Sequence, residues 1–270
     1  MTSPDQGAKS RTKSKKDIFA QAVATKGKTP RKKQTGAGRR FSDKEVRGVL
    51  KLLEDLQLPI PQKESEFMAG TEGCIIFINR YGAVIRIEEK DDRYDVNDSQ
   101  WVLQPIARFQ VGKAVVEICP ACAFESDKGR YEAMKEGLEK DGLKLHDPGL
   151  RQTGRIPLKT PEFPDGVTVV VDRGAVKRLS DDIRPVKSAL QERFYGPLRK
   201  KMAEAYDGKT FDAQKVREFW GLCEEFVRDG KLVIGWNNYR PLYDNKWEGK
   251  NPKGLQAARK ARAYAKLFKR

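Results

Sequence analysis

The first ordered pattern of apolar and polar positions begins at Phe41. Ser42 and Glu45 have the spacing of a capping box, in which each side chain satisfies the other residue's backbone N–H. Phe41 and Val46 stand at the two hydrophobic-staple positions, and Val49, Leu50, Leu53 and Leu56 continue one apolar stripe at helical spacing. Pro59 and Pro61 end that helix. The period then shortens. Residues 74–79 and 83–87 are β-rich runs joined by Arg80-Tyr81-Gly82, which predicts a hairpin. Residues 88–100 are acidic and polar and read as a loop. Two more strands are expected at 101–109 and 114–118, turning at Val111-Gly112-Lys113. A helix over 128–140 carries Tyr131, Met134 and Leu138 on one face and stops at Gly142. Residues 145–166, rich in Pro and Gly, predict a long loop, and 167–171 a buried strand.

The remainder reads as mostly helical. Ile183, Val186, Leu190, Phe194, Leu198 and Met202 form one stripe. Phe211, Val216, Phe219, Trp220, Cys223 and Phe226 form another, closed by Gly230. Leu232-Val233-Ile234 has the character of a short strand, residues 236–247 are aromatic and irregular, and a last helix is expected near 255–268. There is no internal repeat.

Charge changes this picture at the two ends. The chain has 270 residues and a formal net charge of +16. Residues 1–40 hold 12 Lys/Arg against Asp5 and Asp17, and 246–270 hold nine against Glu248, which leaves residues 41–245 with a net of −2. A body near neutrality therefore carries two basic ends. Residues 1–40 have too little apolar surface to offset the entropy of ordering and read as a disordered basic arm. That arm suits nucleic acid, an organelle presequence or simple solubilisation. No apolar stretch approaches the roughly 20 residues of a membrane span. The N-terminal segment lacks the apolar centre of a secretory signal. Four cysteines are too few for a disulfide scaffold and fit an intracellular, reducing compartment.

Three pieces of the body carry candidate chemistry. The first is Gly70-Thr71-Glu72-Gly73 with Ala83-Val84-Ile85-Arg86 after it. The second is the strand pair ending in Val116-Glu117-Ile118-Cys119-Pro120. The third is Leu145-His146-Asp147, then Gln152, then the apolar run 167–171 leading into Asp172-Arg173-Gly174. Together, over about residues 68–176, they resemble the protein-kinase-like fold. There a glycine-rich hairpin covers the ATP phosphates, a lysine on the third strand pairs with them, and a catalytic Asp precedes an Asn and an Asp-x-Gly that hold Mg²⁺.

The resemblance implies an α+β, two-lobed protein-kinase-like domain, with a small antiparallel β-rich lobe and a helical lobe. The divisions are a disordered basic arm at 1–40, an N-terminal helix and β-rich lobe at 41–122, a mainly helical lobe at 123–245 and a basic C-terminal helix at 246–270. It implies ATP and Mg²⁺ as ligands, Gly70, Gly73, Arg86 and Glu117 at the nucleotide, Asp147 as the catalytic base, and Gln152 and Asp172 at the metal. Arg86 stands in place of the lysine, Gln152 in place of the asparagine, and 87–100 leave no room for the helix that bears the lysine's glutamate partner. The function implied is nucleotide binding with phosphoryl transfer, or a degenerate derivative of it.

Other readings compete for the same residues. Cys119-Pro120-Ala121-Cys122 has the spacing of a thioredoxin-like redox pair. A single C-x-x-C supplies only two zinc ligands, so no zinc is expected. His146, the one histidine, reads as a loop residue beside Asp147. The C-terminal segment interleaves Arg259, Lys260, Arg262, Lys266, Lys269 and Arg270 with Tyr264, Leu267 and Phe268. Bases with interleaved aromatics suit nucleic acid or another polyanion, bound through the phosphate backbone without sequence preference. Docking on an anionic membrane surface or on the body itself remains an alternative for that helix.

Overall fold

The computed structural model describes residues 41–58, 67–69, 73–89, 99–146, 149–179 and 189–234. The arm at 1–40, the expected helix near 255–268, and Ile183 and Val186 of the first late stripe lie outside the described residues.

Helix α1 spans Asp43–Asp55 and begins with the expected capping box at Ser42 and Glu45. Glu45 does more than cap. Its Oε1 also accepts the Lys113 N–H at 2.6 Å, which ties the start of the helix to a turn 68 residues away. That N–H, and then the one of Ser42, hold the Glu45 carboxyl below its ordinary value.

Five strands form one antiparallel sheet: β1 (Phe67–Ala69), β2 (Gly73–Ile78), β3 (Ala83–Glu89), β4 (Ala107–Val111) and β5 (Ala114–Pro120), in the order β1-β2-β3-β5-β4. The β2–β3 connection passes through Gly82 at φ +57°, a left-handed conformation that glycine adopts without cost. A Cβ there would also strike Leu232 and Val227 at 2.8 Å, so the turn is pressed against the end of the last helix.

Alternation along these strands separates two faces. Ile76, Ile85, Ile87, Phe109, Val116 and Ile118 point into one core. Helix α1 packs there with α3 (Ala189–Ala205) and α4 (Ala213–Arg228). Phe109 meets the rings of Tyr206 and Phe211 edge-on. Trp220 stacks on Tyr81 and donates its indole N–H to the Leu56 carbonyl at 2.8 Å.

Beyond the sheet lie two smaller ones. Strands β6 (Ala123–Phe124), β8 (Thr153–Ile156) and β9 (Val167–Val170) form a three-stranded sheet. Strands β7 (Leu143–Leu145) and β10 (Val176–Arg178) pair antiparallel. Helix α2 (Lys128–Lys140) covers them with Tyr131, Met134 and Leu138, in a second apolar cluster with Val102, Leu143 and Val170. The described residues thus form an α+β fold with four helices and a small antiparallel sheet. None of these helices is long and apolar enough to cross a membrane.

Three local expectations change. Residues 101–106 are not part of a strand: Val102 forms only an isolated bridge to Val170, while Trp101 packs its indole over Gly137. The loop expected at 145–166 contains β8, whose Thr-Gly-Arg-Ile sequence has no β-rich signal. Leu232-Val233-Ile234 forms no strand, because after α4 the chain bends against the Gly82 turn.

Candidate functional site

The second face of the large sheet carries charge where the first carries apolar side chains. Register places Arg86 of β3 opposite Glu117 of β5, and Glu117 opposite Arg108 of β4. Three strands therefore present a row of Arg, Glu and Arg. Opposite-charge partners on neighbouring strands stabilise the pairing. This row faces the segment that follows β9.

Arg86 is almost fully buried, at 9 % exposure. Its Nη1 donates to the carbonyl of Val171, the residue immediately before Asp172. Its Nε donates to Glu88 Oε1 at 2.8 Å. Burial opposes the Arg86 charge, but the carboxylate of Glu88, with that of Asp172 behind it, holds its pKa above the ordinary value. Val171 in turn donates its N–H to the carbonyl of Gln152 at 2.8 Å. Gln152 is the last residue of the short 3-10 turn that feeds β8.

Arg173 closes the arrangement. Its Nη2 donates to Glu117 Oε2. Both side chains are buried, Arg173 at 7 % and Glu117 at 2 % exposure. The other Glu117 oxygen, Oε1, is buried and accepts no hydrogen bond; Arg108 Nε lies 3.6 Å from it. Burial first, and then the charge of Arg86, push the Arg173 pKa down to about 10. It stays protonated at neutral pH. Asp172 uses its Oδ1 to accept the Gly174 N–H at 3.1 Å, shaping the turn that aims Arg173 inward.

The sequence-predicted residues divide accordingly. Arg86, Glu117, Asp172 and the Gln152 backbone converge between the sheet and the 171–174 turn. Gly73 opens β2 opposite Glu88, two residue pairs along from the row. Gly70, Asp147 and the C-terminal bases Arg259, Lys260, Arg262, Lys266, Lys269 and Arg270 lie outside the described residues. Sequence reasoning passed over Glu88, Arg108 and Arg173 as site residues. Their signal was a charge at alternate positions of otherwise apolar strands, and one at the middle of an Asp-x-Gly.

Among the described residues no group of three or more His, Cys, Asp or Glu side chains could hold a metal ion. In the cluster itself Arg86, Arg108 and Arg173 oppose Glu88, Glu117 and Asp172 charge for charge. The nearby cysteines are Cys119, which is buried, and Cys122, which is half-buried. Burial pushes both Cys119 and Cys122 up to about 12, against the pull of Arg86. A reactive thiol needs the opposite shift. His146 is exposed and bonds through its backbone N–H to the Ala175 carbonyl at 2.8 Å. No known family model matches the chain, and no curated protein matches it.

Proposed function

We propose that the chain is a kinase-like nucleotide-binding protein whose phosphate-binding residues lie where Arg86 of the large sheet meets the 171–174 turn. The observation that carries this reading is the bond from Arg86 to the Val171 carbonyl. Arg86 stands at the phosphate-pairing position of the resemblance, and Val171 immediately precedes the Asp172-Arg173-Gly174 segment. The bond joins residues 85 positions apart in the chain.

The order of elements supports the same reading. The hairpin of β2 and β3, and the pair β4 and β5, lie in one five-stranded sheet that runs directly into the Cys119-Pro120 segment. The pieces that follow are α2, the β7–β10 pair and the β8–β9 pair, with Gln152 just before β8 and Asp172 just after β9.

The chemistry favours binding over efficient transfer. A guanidinium is a planar fork that grips two phosphate oxygens at once, whereas a lysine is a mobile point charge. Arg86 is held from two sides, by Glu88 and by the Val171 carbonyl. It is fixed to hold an anion rather than to follow a migrating phosphoryl group.

Titration of the full chain with a fluorescent ATP analogue tests this. Wild type should bind, and Arg86→Met should weaken binding by about tenfold or more, the loss of one charge-assisted bidentate contact. Equal affinity in a folded Arg86→Met variant would sink the assignment.

A further inference from the structure

We propose that the exposed face of α1 binds the phosphate backbone of a single-stranded nucleic acid, and carries onto the folded body the charge of the basic 1–40 segment. This site is separate from the Arg86 cluster and does not depend on the nucleotide-binding reading. An open groove of about 510 Å³ lies between α1 and the β4–β5 turn, lined by Lys44, Arg47 and Lys51 of the helix and by Val111 and Gly112 of the turn. That volume falls in the roughly 300–1,000 Å³ range of ligand sites. Gly48 lets the two elements meet, since a Cβ there would lie 2.4 Å from Val111 Cγ1.

The lining carries three bases against one acid, Glu45, a net of +2. Both Glu45 oxygens are already taken. Oε2 accepts the N–H and the hydroxyl of Ser42 at 2.8 Å each, and Oε1 accepts the Lys113 N–H at 2.6 Å. Lys44 and Arg47 are exposed, and among the described residues no carboxylate pairs with either. Lys51 bonds Asp55 at 3.0 Å, but an exposed i,i+4 pair contributes little and gives way to a stronger anion.

Position selects a polymer over an isolated ion. Two helical turns, about 10 Å, separate Lys44 from Lys51, so the bases reach successive phosphates. Phe41 is buried in the main core, and Ser42 lines the groove. Arg40 stands two residues before Ser42, so at most about 7 Å separates their Cα atoms. The 1–40 segment, with 12 Lys/Arg against Asp5 and Asp17, therefore joins the body at the edge of the groove. A nucleic-acid strand, with a charge at every nucleotide, engages both along one path, and each phosphate neutralised releases counterions. No aromatic side chain lines the groove, so it holds backbone and reads no bases.

Fluorescence anisotropy of the full chain with labelled single-stranded oligonucleotides of two unrelated sequences, over a salt series, tests this. The Lys44→Gln, Arg47→Gln double variant removes two phosphate contacts. It should reduce the slope of log affinity against log salt by about 1.4 and weaken binding about tenfold or more near 0.1 M salt, equally for both sequences. Both side chains are exposed, so the variant should keep the wild-type thermal midpoint. A Lys128→Gln, Lys140→Gln double variant on α2 makes the same change in net charge away from the groove, and should keep the wild-type slope. A groove variant with an unchanged slope, an α2 variant that loses as much, or a wild type that binds neither oligonucleotide overturns the proposal. So does a groove variant that loses binding to polyglutamate but keeps it to the oligonucleotides, which makes the partner an acidic protein.

Discussion

Buried carboxylates set the local chemistry of this molecule, and Glu125 shows how one is kept ionised away from the Arg86–Glu117–Arg173 cluster. It accepts the Thr168 hydroxyl at 2.6 Å, the Asp127 N–H at 2.9 Å, and Arg130 Nε and Nη2 at 3.2 Å each. Burial alone would raise its pKa, but Arg130, then Thr168 and Asp127, outweigh it and hold the carboxyl below its ordinary 4.5. A carboxylate depressed on folding stabilises the native state fully above its unfolded pKa, and that stabilisation is lost as pH falls through the lower folded value. Glu125→Gln should therefore cost about 1–3 kcal/mol at neutral pH. The gap between variant and wild type should narrow as pH drops below 4.5. Urea denaturation across that range measures it, and a gap independent of pH would contradict the assignment.

At the scale of elements, α2 meets the 101–106 segment closely at Gly137. A Cβ on Gly137 would lie 2.1–2.5 Å from three atoms of the Trp101 indole. Alanine is the better helix former by about 0.8–1 kcal/mol. Overpacking costs about 1–3 kcal/mol. The steric term is the larger because the obstacle is a rigid ring held between α2 and Phe163. Gly137→Ala should therefore lower the thermal midpoint, although a helix rule alone predicts a gain. An unchanged or raised midpoint would show that the indole moves aside freely. The element α2 itself was legible, from its stripe and the stop at Gly142. The use of Gly137 was not, because a glycine inside a helix says nothing of which ring lies against it.

For the molecule as a whole, the net charge of +16 belongs to segments on either side of a near-neutral body. The proposed nucleotide site and the basic ends lie in separate parts of the chain, so deletions can test them independently. Deleting residues 1–40 and 253–270 together should abolish salt-sensitive binding to single-stranded DNA or RNA, followed by fluorescence anisotropy over a salt series. Affinity for the ATP analogue should persist in the same protein. Retention of the nucleic-acid binding would place that activity in the body instead.

What the amino-acid sequence determined by itself is local. The capping box of Ser42 and Glu45, the turns at Gly82 and Gly112, the 128–140 helix and the stripe of α4 each follow from a rule that acts within a few residues. Arg86, Glu117 and Asp172 were legible as candidates because a charge in an apolar run is conspicuous. Their meeting was not. Which strand lies beside which, and in what register, is set by long-range packing that no window of sequence contains. Only the tertiary structure put Arg86, Glu117 and Arg108 in one row and turned Arg173 into it. It did so because the apolar alternation of β3, β4 and β5 had to bury its other face against α1, α3 and α4. Once that face was buried, the charged positions were left facing the 171–174 turn.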